Sequence, residues 1–273
     1  MTRVEVIAIE GLPEIARGDD LAAILAAGAQ AVGGFAQGDV LVLAHKIVSK
    51  AEGAQTAGGF ADGDVLVVAH KIVSKAEGAV VDLETVRPTA RARFLADEHG
   101  KDPRAVQVVL DQSAAILRAE RGVLISRTRH GFVCANAGVD ASNAGAEDRV
   151  VTLPSDPDAS ARALRAALPG SPAVVIADSF GRAWRHGQCD VAIGIAGLAP
   201  LDDWRGRADA DGRELHATWI AVADEAAAAA DLVRDKAARA PAAIVRGLAR
   251  HVSADDGPGA AALVRPPAED LFG

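Results

Sequence analysis

The apolar positions of this chain come in two periods, and the changes of period mark its elements. "VEVIAIEG" (4–11) predicts a first strand, closed by the Gly–Leu–Pro turn at 11–13. "GDDLAAILAAGAQAV" (18–32) carries a helical repeat, with Asp19 or Asp20 near its N-terminus. Residues 33–54 and 58–79 then read almost alike: a Gly–Asp turn, a buried apolar strand and a polar stretch, "AHKIVSKAEG", that occurs at 44–53 and again at 69–78. The two units match at 20 of 22 positions, differing only at Gln37/Asp62 and Leu43/Val68. Two copies are too few for a solenoid.

Helical periodicity follows over "PTARARFLADEHG" (88–100) and "PRAVQVVLDQSAAILRAE" (103–120). "GVLISRTRHGFVCANAG" (122–138) predicts a hairpin turning at His130–Gly131. "DASARALRAALPG" (158–170) is a short helix stopped by Pro169 and Gly170, and "PAVVIADSFG" (172–181) a buried strand ending in a turn. "ATWIAVADEAAAAADLVRDKAARAP" (217–241) mixes strand and long helix, and "AAIVRGL" (242–248) is a last strand. The mixture predicts an α+β fold, mixed sheets with flanking helices, rather than regular βαβ winding. No Ser- or Pro-rich linker divides the 273 residues, so composition places no domain boundary, and the expectation is a single unit in which two subdomains stay open.

Composition narrows the function. Half of the residues are hydrophobic, enough for a large core, but aromatics make up only 3 % and tyrosine is absent. A formal charge of −8 argues against a nucleic-acid surface. Two cysteines fit a reducing, cytoplasmic setting, and the charges within the apolar stretches argue against a membrane span. There is no Walker A motif, G-x-S-x-G elbow or H-E-x-x-H.

Three polar clusters follow apolar strands. In "NAGVDASNAG" (136–145), Asp140 and Asn143 lie among glycines, which suits either an Asx-rich turn or a carboxylate presented to a hard cation. In "VVIADSFGRAWRHGQ" (174–188), an apolar run, five residues counted from Ala173, leads to Asp178 and Ser179 at what reads as a strand's C-terminal end. There Asp178 either caps a turn or binds a cation. The third is the repeated stretch, whose Lys50 or Lys75 is either a surface lysine or a point charge for a phosphate.

In this order, "GLPEI", "GDVLVVAHKIVSKAEG", "AGVDASN", "IADSFGRAWRHGQ", "VADEAAAAADLV" and "PAAIVRGL" resemble the coenzyme F420:γ-glutamyl ligase family, over residues 3 to about 250. The chain is also similar to the N-terminal half of a fused actinobacterial version. The resemblance implies the family's own α+β fold and a homodimer. It implies GTP contacts at Leu12, Pro13, Glu14, Ile15 and Asn143, and at His70, Lys71 and Lys75 or their counterparts His45, Lys46 and Lys50. It implies divalent-metal ligands at Asp140, Asp178 and Ser179, two ions of Mg or Mn, and it leaves a monovalent cation open. Many relatives have "TDT" where this chain has "ADS"; Ser179 keeps the hydroxyl.

The implied reaction transfers the GTP γ-phosphate to the terminal carboxylate of F420-0. The amine of L-glutamate then attacks the acyl phosphate and joins the coenzyme, with glutamate added through a γ-linkage. Two alternatives stay open at this point. One is a nucleotide-dependent carboxylate–amine ligase with another acceptor. The other is a non-catalytic nucleotide- and metal-binding relative disabled by the duplication. Family members carry one copy of the repeated unit; "VVDLETV" after the second copy continues in the family's manner, so the second copy is the expected occupant of the native position.

Overall fold

A computed structural model describes residues 4–32, 40–43, 65–141, 148–234 and 240–270. The fold is α+β, with a six-stranded mixed sheet and three smaller sheets among the described residues. Strand β1 (Glu5–Ile9) leads through the 11–13 turn to helix α1 (Leu21–Ala31). Asp20 caps α1 by accepting a bond from the Ala23 N–H. Next in the chain come β2 (Val40–Leu43), β3 (Val65–Ala69), α2 (His70–Glu77) and β4 (Val80–Asp82). The polar stretch "HKIVSKAE" is therefore a helix. Gly78 ends it in the left-handed conformation, φ +78°.

Helices α3 (Ala90–His99) and α4 (Pro103–Gln112) match the periodicity, with Thr89 and Asp102 as N-caps. The predicted second helix stops early, however: Ser113–Glu120 is strand β5. The Ser113 hydroxyl donates to the Val109 carbonyl at the helix end, and the chain then pairs antiparallel with β6 (Val123–Thr128). Cross-strand pairing overrides the local helical preference of "AAILRAE". The hairpin from β6 to β7 (Val133–Ala135) turns at His130–Gly131, as its sequence predicts.

After β8 (Arg149–Val151) and α5 (Pro157–Ala167) comes a long arm, β9 (Ala173–Arg182) with β10 (Arg185–Ala196). Here too the structure corrects an expectation. Asp178 and Ser179 do not end the strand but sit within β9, at the point where burial gives way to exposure and the strand runs on into the hairpin. β9 continues because β10 supplies a pairing partner out to Arg182. The short pair β11 (Asp202–Asp203) and β12 (Trp219–Ile220), helix α6 (Val222–Val233) and β13 (Ala242–Arg246) complete the elements.

The main sheet has the order β1–β13–β3–β9–β10, with β2 paired to β3. β3 runs antiparallel to β13 and parallel to β9 and β2. Both faces are covered, so its strands read as unbroken apolar runs. Val174, Ile176, Ala242 and Ile244 pack on one side with residues of α1, α2 and α5. Ala173, Val175, Ala243 and Val245 pack on the other with Ala223, Ala226, Ala227 and Ala230 of α6. A separate core joins α3, α4 and β6 through Ala92, Ala96, Val106, Val109 and Leu124.

The repeat has a direct structural expression. Val40, Leu41 and Val42 pair with Val65, Leu66 and Val67, so these residues of the first copy's strand lie beside their own repeats, 25 positions on. The rest of the first copy, including His45, Lys46 and Lys50, lies outside the described residues.

Candidate active site

One short pairing brings the candidate residues together. Ala69, the last residue of β3, pairs with Ala177 of β9. The next residue on each strand is a functional candidate: His70 opens α2, and Asp178 continues β9. Their side chains meet, with His70 Nε2 3.2 Å from Asp178 Oδ1. His70 is only 1 % exposed, and its Nδ1 lies 3.4 Å from the Ser74 hydroxyl one turn along the helix. Ser179 N–H donates to Asp178 Oδ1.

Lys71, also buried, extends to the carboxylate of Asp140 and donates to its Oδ2. Asp140 is fixed by its backbone, which exchanges both hydrogen bonds with Val151, the last residue of β8. A cramped turn precedes it. Asn136 and Ala137 both have φ near +53°, and Gly138 follows at +71°. Asn143 lies outside the described residues, as does most of "RDKAARAP".

The first loop approaches the same helix. Lys75 Nζ lies 4.0 Å from Glu14 Oε1, and Gly18 N–H donates to the Ala76 carbonyl. Leu12 and Ile15 point into the core, while Pro13 and Glu14 are exposed. Any ligand contact from Leu12 or Ile15 would thus be made by backbone. The remaining motif residues serve the scaffold. Glu77 accepts a hydrogen bond from the Ser160 hydroxyl on α5, and Gly78 closes the helix.

α2 starts directly from a strand, at Ala69, with no side chain capping it. Its first-turn N–H groups and the positive end of its dipole therefore face the site, an arrangement that favours an anion. Opposite stand Asp140 and Asp178, each already beside a protein cation or imidazole. The oxygen-only set of Asp140, Asp178 and Ser179 fits a hard divalent ion in donor type. Lys71 donates to one of the two Asp140 carboxylate oxygens. Among the described residues no three His, Cys, Asp or Glu side chains converge as a ready cage.

Two residues that the sequence analysis passed over lie behind the site. Asp190 pairs in register with Ser179 across β9 and β10, and the Ser179 hydroxyl donates to its Oδ1 at 2.6 Å. Its other oxygen accepts from Arg234, which also donates to Asp231 at 3.1 Å. Burial pushes the Asp190 carboxyl above its ordinary pKa, while the guanidinium of Arg234 pulls the other way. A lone acid in the apolar run "CDVAIGIA" was the available signal. Cys134, also nearby, is no candidate nucleophile. Burial, with the charge of Asp178 adding to it, pushes its thiol up to about 12.

The mixed sheet thus brings the start of α2, with His70 and Lys71, against Asp178 and Asp140. The family model described as F420-0:Gamma-glutamyl ligase matches residues 11–57 and 54–247, and the chain belongs to that family. The two matches part at the repeat, so that each takes in one copy. Three relatives share the name coenzyme F420:L-glutamate ligase. That of Methanothermobacter thermautotrophicus is 40 % identical over 98 % of both chains. That of Methanopyrus kandleri is 39 % identical over 99 % of this chain and 97 % of its own. That of Natronomonas pharaonis is 42 % identical over 89 % and 86 %.

Proposed function

We propose that this protein is a GTP- and divalent-metal-dependent ligase that adds L-glutamate to coenzyme F420-0, forming GDP. The observation that carries the reading is the meeting of α2 with β9: the uncapped helix start and Lys71 stand against Asp140 and Asp178. Kinship with proteins named coenzyme F420:L-glutamate ligase supplies the substrate class.

The chemistry explains why such a site is needed. A carboxylate is a poor electrophile, so one of its oxygens first attacks the γ-phosphorus of GTP and GDP leaves. The amine of glutamate then attacks the acyl carbon, phosphate departs and the amine gives up a proton. Triphosphate and carboxylates must approach one another throughout, in a protein whose own charge is −8. The start of α2 and Lys71 give the phosphates donors and positive charge, and Lys75 stands a turn further along. His70 is buried with its Nε2 3.2 Å from the Asp178 carboxylate. Divalent ions held by Asp140, Asp178 and Ser179 would supply charge neutralisation at the transferring phosphoryl.

The direct test feeds purified protein F420-0, L-glutamate, GTP and Mn2+ or Mg2+, and follows GDP release and the mass of the coenzyme product. The expected result is GDP formed in step with a coenzyme one glutamate heavier. No GDP above background, under conditions where the relative from M. thermautotrophicus turns over, would sink the proposal.

A further inference from the structure

Ser179 and Asp190 are opposed across β9 and β10, yet they differ sharply in environment. Ser179 is exposed, whereas Asp190 behind it is 2 % exposed and Arg234 8 %. A hydroxyl has one proton to give and two lone pairs to offer. Here the proton goes backwards, to Asp190 Oδ1, at 2.6 Å. What remains on the outer side of Ser179 is oxygen that can only accept. The other Asp190 oxygen accepts from Arg234, so both oxygens of this carboxylate are engaged as acceptors.

We infer that Asp190, held by Arg234, is a positioning residue that turns the Ser179 hydroxyl into an acceptor-only ligand for a divalent cation. The inference rests on the metal role proposed for Ser179. A buried ion pair is a costly way to gain stability, since desolvation offsets most of its Coulomb energy. Fixing a ligand is a use that stability alone does not provide. The pair is also placed to do it: Arg234 is the C-cap residue of α6, and Asp224 in the first turn of the same helix accepts the Ala192 N–H of β10. Both ends of α6 are thereby fastened to the strand that carries Asp190. A carboxylate behind a ligand, taking its proton and raising its basicity, is the usual second layer of a metal site.

The test is Mn2+ binding without nucleotide, followed by the electron paramagnetic resonance signal of the free ion, on four proteins: wild type, Ser179→Ala, Asp190→Asn and the double variant. Circular dichroism and melting temperature check the fold of each. Asp190→Asn is expected to weaken Mn2+ binding by about tenfold or more. Because it acts through the hydroxyl, it should add nothing in the Ser179→Ala background. Affinity within twofold of wild type, or full additivity, would overturn the inference while leaving the ligase reading intact. Wild-type protein that binds no Mn2+ would overturn both the inference and the metal dependence. Should Asp190→Asn not fold, Asp190→Glu takes its place: the longer side chain keeps the charge for Arg234 but moves the acceptor off the hydroxyl. The same loss is expected, and unchanged affinity would again count against the idea.

Discussion

At the scale of the residue, the site consists of a few charges whose neighbours decide their use. Asp140→Asn and Asp178→Asn are each expected to cut ligase turnover about a hundredfold or more, as loss of one electrostatic stabiliser does. Circular dichroism should not change, because neither side chain is part of an apolar core. Near-normal rates at saturating Mn2+ would remove that residue from the metal site. Lys75→Ala should weaken GTP binding roughly tenfold, the worth of one charged hydrogen bond, and Lys50→Ala hardly at all. Equilibrium dialysis with labelled GTP compares them. Asp224 offers a pH test. Burial raises its pKa above the ordinary aspartate value, so ionising it costs more in the folded chain than in the unfolded one. Its contribution to stability is therefore greatest below that value and falls as pH rises through the folded pKa. Asp224→Asn keeps an acceptor for the Ala192 N–H and should melt higher than wild type at pH 7, with the gain shrinking towards pH 4. A lower melting point at pH 7 would show that the start of α6 stabilises the charge after all.

Elements carry these residues to one another, and their junctions are tight. β3 passes into α2 without a loop, so the pairing of Ala69 with Ala177 alone sets the distance between His70 and Asp178. On the other side of the arm, β10 is pressed against α5. A Cβ on Gly194 would stand 2.4 Å from the Pro157 carbonyl oxygen, next to a register shift between Ala192 and Gly194. Gly194→Ala must move α5 or the strand and should cost ~1–3 kcal/mol, the usual penalty of overpacking. Urea unfolding measures this, and an unchanged midpoint would mean that the helix shifts freely. The same junctions show where the sequence could be read and where it could not. α1, α3, α5 and β13 follow their local patterns, with Asp20, Thr89 and Asp156 as side-chain caps on the three helices. Ser113–Glu120 did not, because its antiparallel hairpin with β6, closed by the turn at Arg121–Gly122, outweighs the helical period of "AAILRAE".

For the whole molecule the open question is the repeat. The second copy supplies β3, seated between β13 and β9, and α2, which reaches Asp140 and Asp178. The strand of the first copy pairs with its own duplicate. Among the described residues, no site contact depends on it. Deletion of residues 33–57 joins α1 to the second copy and is expected to leave melting temperature and GTP binding equal to wild type or higher. A deletion protein that folds but no longer binds GTP would show that the first copy holds the nucleotide or that both copies are needed.

The sequence by itself determined the order of most elements, the duplication and the motif residues, because strand and helix periods, caps and turns are local properties of the chain. It also placed Asp140, Asp178 and Ser179 after apolar runs. Only the tertiary structure decided that "HKIVSKAE" is a helix starting at the site, that β9 runs on past Asp178 into a hairpin, and that His70 and Lys71 stand against the two aspartates. Asp190 and Arg234 belong to the same group. They are 44 residues apart, and nothing local marks them as partners. The physical reason is that a buried charge is tolerated only when another segment supplies its counter-charge, and which segment does so is set by the packing of α6 on β10.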